Sequence, residues 1–209
     1  MSERRTQAMR RATTRRKLLE ATLDALMASG YSRMTTGEIA ARAGVSRGAL
    51  MHHYATKDDL VAAACQHLLR TATDDIRQQA ARVERGQLSL SEFIDYLWGQ
   101  FSGRLFYVTL EHVTEARHNA DLRAKMIPVV QEFHGALDAI WQQFFRGSDL
   151  NTEEVETSLN MTLCLLRGMG VQTVLRDDPV YYDRLLNAWK GHLSGHVDVS
   201  IRTNTDAPS

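Results

Sequence analysis

The chain has few of the residues that would mark it as anything other than a plain helical protein. Two cysteines in 209 residues, Cys65 and Cys164, exclude a disulfide framework. No His or Cys pair has the spacing of a zinc site, so no metal and no cofactor is expected. With only three prolines, long helices can run with little interruption. No apolar run approaches the roughly 18 residues that suggest a membrane span. The basic N-terminus has no apolar stretch behind it, so neither a signal peptide nor a membrane anchor is expected, and the cytoplasm is the default location. No alternating pattern competes for a strand, and no nucleophile or cofactor loop points to an enzyme. Net charge is also lacking: 25 Lys and Arg balance 25 Asp and Glu, which taken alone argues against a nucleic-acid partner.

The distribution of charge reverses that reading. Residues 1–57 hold 11 basic against 4 acidic side chains, a net +7, and the remainder holds 14 against 21, a net −7. A basic end on an acidic body is the footprint of a DNA-facing segment. Within it, Thr35 to Leu60 reads TTGEIAARAGVSRGALMHHYATKDDL. Thr36 is expected to cap a first short helix, with Ile39, Ala40 and Ala43 as its buried stripe. Gly44 supplies a turn that needs positive φ. Ser46 caps a second helix carrying Arg47 to His53, and Thr56 caps the next, with Asp58 and Asp59 in its positive first turn. This is the pattern of a helix-turn-helix, whose second helix enters the major groove. Before it, Leu18, Leu19, Thr22, Leu23, Leu26 and Met27 form the stripe of a first amphipathic helix that ends at Gly30.

These residues resemble the DNA-binding domain of TetR-like (tetracycline-repressor-like) transcriptional regulators. The matching positions are Gly30-Tyr31, Thr35-Thr36, Ile39-Ala40, Ala43-Gly44-Val45-Ser46, Gly48, Leu50, Tyr54, Lys57 and Leu60, about a fifth of the chain. Two departures stand out. Met51 and His52 occupy places where the family often has aromatic residues, and Tyr54 replaces a common Phe. The resemblance implies an all-α protein of about nine helices, with an N-terminal three-helix helix-turn-helix domain and a C-terminal helical domain for ligand binding and dimerisation. The expected boundaries are a flexible basic arm at 1–13, the DNA-binding domain at 14–58, the effector and dimerisation domain at 59–195, and a flexible tail at 196–209. It implies DNA contacts from Thr36, Ser46, Arg47, Gly48, Ala49, Met51, His52, His53 and Lys57, with Thr36 and Lys57 on phosphates. Arg47 is the best base reader by its own chemistry, since a guanidinium can grip guanine O6 and N7 together.

The rest of the chain reads as helices from Lys57 to Val83 and on to Leu193, with Pro128 inside the seventh predicting a kink or a displaced start. Trp98, Phe101, Tyr107, Phe133, Trp141 and Met169 are candidates for an effector pocket. Glu111 and Glu115, four residues apart on one helix face, are candidates to receive a polar ligand. For all of these, plain core or solvated surface is the alternative. Leu159, Leu163, Leu166, Gly170, Val174, Leu185 and Trp189 on the last two helices are candidates for a two-fold seam, the alternative being burial within one subunit. The implied protein is a ligand-released repressor that binds a palindromic operator as a homodimer. Its partners are double-stranded DNA and a small molecule the sequence does not identify. Two rivals remain: a DNA-binding regulator without an effector, and an enzyme using Glu111, His112 and Glu115 as acid–base groups.

Overall fold

The computed structural model describes residues 2–195, with side chains from residue 7; the expected tail at 196–209 lies outside the described residues. Among the described residues all regular structure is helical. The helices are α1 Ser2–Arg33, α2 Thr36–Ala43, α3 Arg47–His53, α4 Lys57–Glu84, α5 Leu90–Phe101, α6 Arg104–Ala116, α7 Ala120–Phe144, α8 Thr152–Thr173 and α9 Pro179–Ser194. No helix is long and apolar enough to cross a membrane, and no cluster of three or more His, Cys, Asp or Glu could hold a metal ion among the described residues.

By their contacts the residues form two compact units. The first runs to Arg70 and takes in Tyr107–Gln131; the second comprises Thr71–Phe106 and the described residues from Glu132 onward. The first unit is therefore larger than the span 14–58, because α6 and α7 bring partners to α4. Cys65 Sγ lies 3.3 Å from His112 Nδ1, and Lys125 forms an ion pair with Asp59 at 2.7 Å.

In the first unit, α1 begins at Ser2, so the residues expected as an arm are the opening turns of a helix. Arg, Ala, Met and Gln dominate this stretch, and all favour helix. The α1 stripe buries Leu18, Leu19, Thr22, Leu23 and Leu26, but Met27 is 44% exposed. Ala25 is fully buried in its stead, because the buried arc is centred nearer Leu18 and Leu26 than the spacing implied. Gly30 breaks the helical path with φ 71°. A Cβ there would lie 2.8 Å from Glu111 Oε2, so conformation and space both require glycine.

The second unit is built on large side chains. Trp141 is 1% exposed, and its indole Nε1 donates to Ser158 Oγ at 2.7 Å. Phe93 meets Phe144 edge-on at 4.9 Å between centroids. Trp189 Nε1 donates to Thr162 Oγ1 at 2.8 Å, tying α9 to α8. Capping boxes start α5 at Ser89 with Glu92 and α8 at Asn151 with Glu154. In the first unit α7 starts at the Asn119 cap, whose Oδ1 accepts from Leu122 N–H at 3.0 Å. The helix continues past Pro128, so its start is not displaced. The proline ring takes one donor from the ladder, and both Pro128 and Ala124 are exposed, where water can serve the freed carbonyl.

Candidate nucleic-acid interface

The reader is assembled by hydrogen bonds between near neighbours in sequence. Thr35, not Thr36, is the N-cap of α2: its hydroxyl accepts from Glu38 N–H at 3.2 Å. Thr36 is the first helical residue and is half-buried. At the other end Gly44, φ 66°, donates to Ala41 O, and Val45 N–H reaches back to Ala40 O at 3.0 Å. That pair of bonds satisfies the last carbonyls of α2 and turns the chain toward α3. Ser46 Oγ then accepts from Ala49 N–H at 3.1 Å and starts α3. Thr56 and Asp59 cap α4 reciprocally, at 3.0 and 3.1 Å.

The short α3 therefore has one buried anchor and an open face. Leu50 is fully buried, while Arg47, Gly48, Met51 and His52 are exposed and Ala49 is half-buried. The two histidines divide as adjacent residues on a helix must. His52 is open to solvent; His53 is half-buried, and burial holds its pKa below the ordinary value, helped by the charges of His52, Arg11 and Arg15. Tyr54 fills the core at 7% exposure, and its hydroxyl accepts from Arg15 Nε at 3.1 Å. The tyrosine thus keeps the volume of a phenylalanine and gains a tie to α1.

Lys57 has a local task that sequence reasoning missed. Its Nζ donates to Tyr31 O at 2.6 Å and lies 4.0 Å from the centre of the Tyr31 ring. Burial lowers its pKa, with Glu115 and Asp58 opposing the shift. Beside it the Tyr31 hydroxyl donates to Asp58, and Asn119 Nδ2 donates to Asp58 Oδ2 at 3.2 Å. Burial first, and then Asp58, raise the Tyr31 pKa. No sequence signal links Asn119 to Tyr31 or Asp58, which lie 88 and 61 residues away. Only the α7 cap brings it there.

The pocket and seam candidates are placed as follows. Tyr107, Glu111 and Glu115 belong to the first unit; Glu111 is exposed beside Gly30 and Glu115 is half-buried. Trp98, Phe101, Phe133, Trp141 and Met169 belong to the second, all buried except the half-buried Trp98, which packs on Tyr182. Leu159, Leu163, Leu166 and Gly170 are buried within the chain itself, Leu185 and Trp189 are half-buried, and Val174 is 58% exposed. Gly170 is closed off by its own subunit: a Cβ there would lie 2.4 Å from Phe101 O. Those four inward residues are therefore not available to a second subunit. His112 is 1% exposed, and burial lowers its pKa to about 4. Its Nδ1 lies 2.8 Å from Val108 O, which can only accept, so the proton is on Nδ1 and the buried Nε2 has no partner among the described residues.

A short helix fixed by its own caps, with an exposed arginine at its start and a glycine turn before it, is the working part of a helix-turn-helix DNA-binding protein. Residues 18–64 match the family model described as bacterial regulatory proteins, tetR family. The chain is 26% identical over 186 residues to the HTH-type transcriptional regulator CymR of Pseudomonas putida, an alignment covering 89% of this chain and 92% of that protein. An uncharacterised HTH-type regulator of Mycobacterium tuberculosis is 31% identical over 129 residues, 62% of this chain and 66% of its own. The fold matches the crystal structure of a protein assigned to the TetR family from Mesorhizobium loti, with a TM-score of 0.74, 16% identity, and coverage of 90% of this chain and 99% of that one. The chain belongs to the TetR-like family and is a DNA-binding transcriptional regulator.

Proposed function

We propose that the protein represses transcription by holding a near-palindromic operator as a homodimer, and that a small molecule taken up by the helical body releases it. The observation that carries the DNA side is the exposed face of α3, with Arg47 and Gly48 at its start and Leu50 anchoring it from behind. Arg47 reads a base edge, and Thr36 at the positive N-terminus of α2 holds a phosphate. Lys57, already bonded to Tyr31 O, has further N–H donors for a phosphate.

For the dimer, the outward face of α8 supports the reading better than the inward leucines. Met161, Cys164, Gly168, Val171 and, just past the helix, Leu175 recur at steps of three and four residues and are all exposed. A Cβ at Gly168 would meet nothing within 4 Å, which leaves room for a second α8. A two-fold dimer carries two α3 helices, one for each half of a near-palindrome. Release is then a population shift: a ligand that prefers the form with mismatched reader spacing lowers operator affinity by its differential binding.

A footprint and mobility-shift titration on the DNA upstream of its own gene test this reading. Two symmetric half-sites and a steep loss of affinity with salt are expected. A single unsymmetric contact region, or binding that survives Arg47→Ala with its base preference intact, would remove the proposed reader. Val171→Glu is expected to give monomers in sedimentation.

A further inference from the structure

Arg167 is the one cation on α8, within the apolar run LCLLRGMGV. It is half-buried, and burial lowers its pKa, yet a guanidinium cannot shed its proton at any ordinary pH. A charge drawn out of water costs free energy unless an opposite charge meets it. No carboxylate does so here among the described residues. Arg167 has one hydrogen bond, from Nη2 to His134 Nε2 at 2.8 Å, and it faces the Phe101 ring at 5.7 Å. Accepting that bond requires a neutral His134. Burial and the neighbouring Arg167 charge keep it so, against the pull of Asp138.

The guanidinium is held in place before any ligand arrives. His134 on α7 grips one end, Phe101 at the end of α5 lies over it, and the close approach of Gly170 to Phe101 O keeps α8 against α5. Its remaining N–H groups have no protein partner among the described residues. A planar fork of donors with a single positive charge matches a carboxylate, which can take two parallel bonds. A phosphate dianion would leave one negative charge unmatched beside an aromatic ring.

We propose that Arg167, steadied by His134 and Phe101, binds the carboxylate of a small organic acid. This rests on the reading of the helical body as the effector-binding part, and it adds the chemical class of the effector.

The test uses the full-length protein and two probes, benzoate and octanoate, with benzamide and octanol as uncharged counterparts and inorganic phosphate as the other anion. Calorimetry and thermal shift read binding; a mobility-shift assay reads release of operator DNA. Saturable binding of at least one acid is expected, with no comparable response to the uncharged counterparts or to phosphate. Arg167→Gln is expected to weaken it about tenfold or more, and Arg167→Lys less, because the charge stays while the fork is lost. If Arg167→Gln does not fold, His134→Ala serves, with binding weakened several-fold. Binding of neither acid, equal binding of the uncharged counterparts, or acid binding that survives Arg167→Gln in a folded protein each overturns the proposal. So does an Arg167→Gln variant whose only change is a weaker dimer, since the counter-charge would then belong to a second subunit. Acid binding lost in Arg167→Gln but without effect on DNA leaves the site standing and overturns only the release mechanism.

Discussion

Each unit is stabilised internally by a different kind of bond. In the reader, the caps at Thr35, Ser46 and Thr56 and the turn at Gly44 bond residues three to five apart, so each short helix is delimited by its own neighbours. In the body, the defining bonds cross between helices: Trp141 to Ser158, Trp189 to Thr162, and Lys190 to Asp95 across 95 residues. Short-range bonds position an exposed face and leave its outward residues free to serve a ligand as large as DNA. Long-range packing of aromatic side chains builds an interior in which Arg167 stands out because no carboxylate among the described residues pairs with its charge. All three tryptophans lie in the second unit, so indole emission reports on that unit alone.

Substitutions can break or sharpen this contrast. The largest effect is expected from Trp141→Ala, which empties a fully buried site and leaves Ser158 without its donor, at a cost of about 3–5 kcal/mol. Denaturant unfolding followed by indole emission measures it. Leu50→Ala should cost about 2–5 kcal/mol and abolish operator binding. Tryptophan emission should persist while far-UV circular dichroism falls; simultaneous loss of both would break the contrast. His112 gives a third effect of similar size. Its folded pKa of about 4 lies below the ordinary 6.5, so the folded state holds it neutral while the unfolded chain takes up a proton. That stability is complete above pH 6.5 and declines by about 3 kcal/mol as pH falls toward 4. His112→Phe should flatten this part of the pH profile of the melting temperature; an unchanged profile would put the acid sensitivity elsewhere. Arg47→Ala should weaken specific operator binding by about 1–3 kcal/mol with no change in melting temperature. Ser46→Ala, which removes only a cap, should cost about 1 kcal/mol, seen as a lower melting temperature and a modest loss of DNA affinity.

The sequence by itself determined the reader almost to the residue: the glycine turn, the Ser46 cap, the span of α3 and its buried Leu50. The reason is that caps and turns are formed within a few residues of where they are encoded. Even there one step escaped, since Thr35 and Thr36 are chemically alike and only backbone dihedrals decide which of them caps. Helix existence in the body was also legible from periodicity, but which face of α8 turns inward was not. Leucine spacing marks an apolar face equally well whether the covering surface belongs to the same chain or to another. Tertiary structure alone decided that Leu159, Leu163, Leu166 and Gly170 face their own subunit, that Asn119 meets Asp58, and that Arg167 has a histidine and a phenylalanine for neighbours but no acid among the described residues. These are contacts between residues distant in the chain, and no local pattern encodes them.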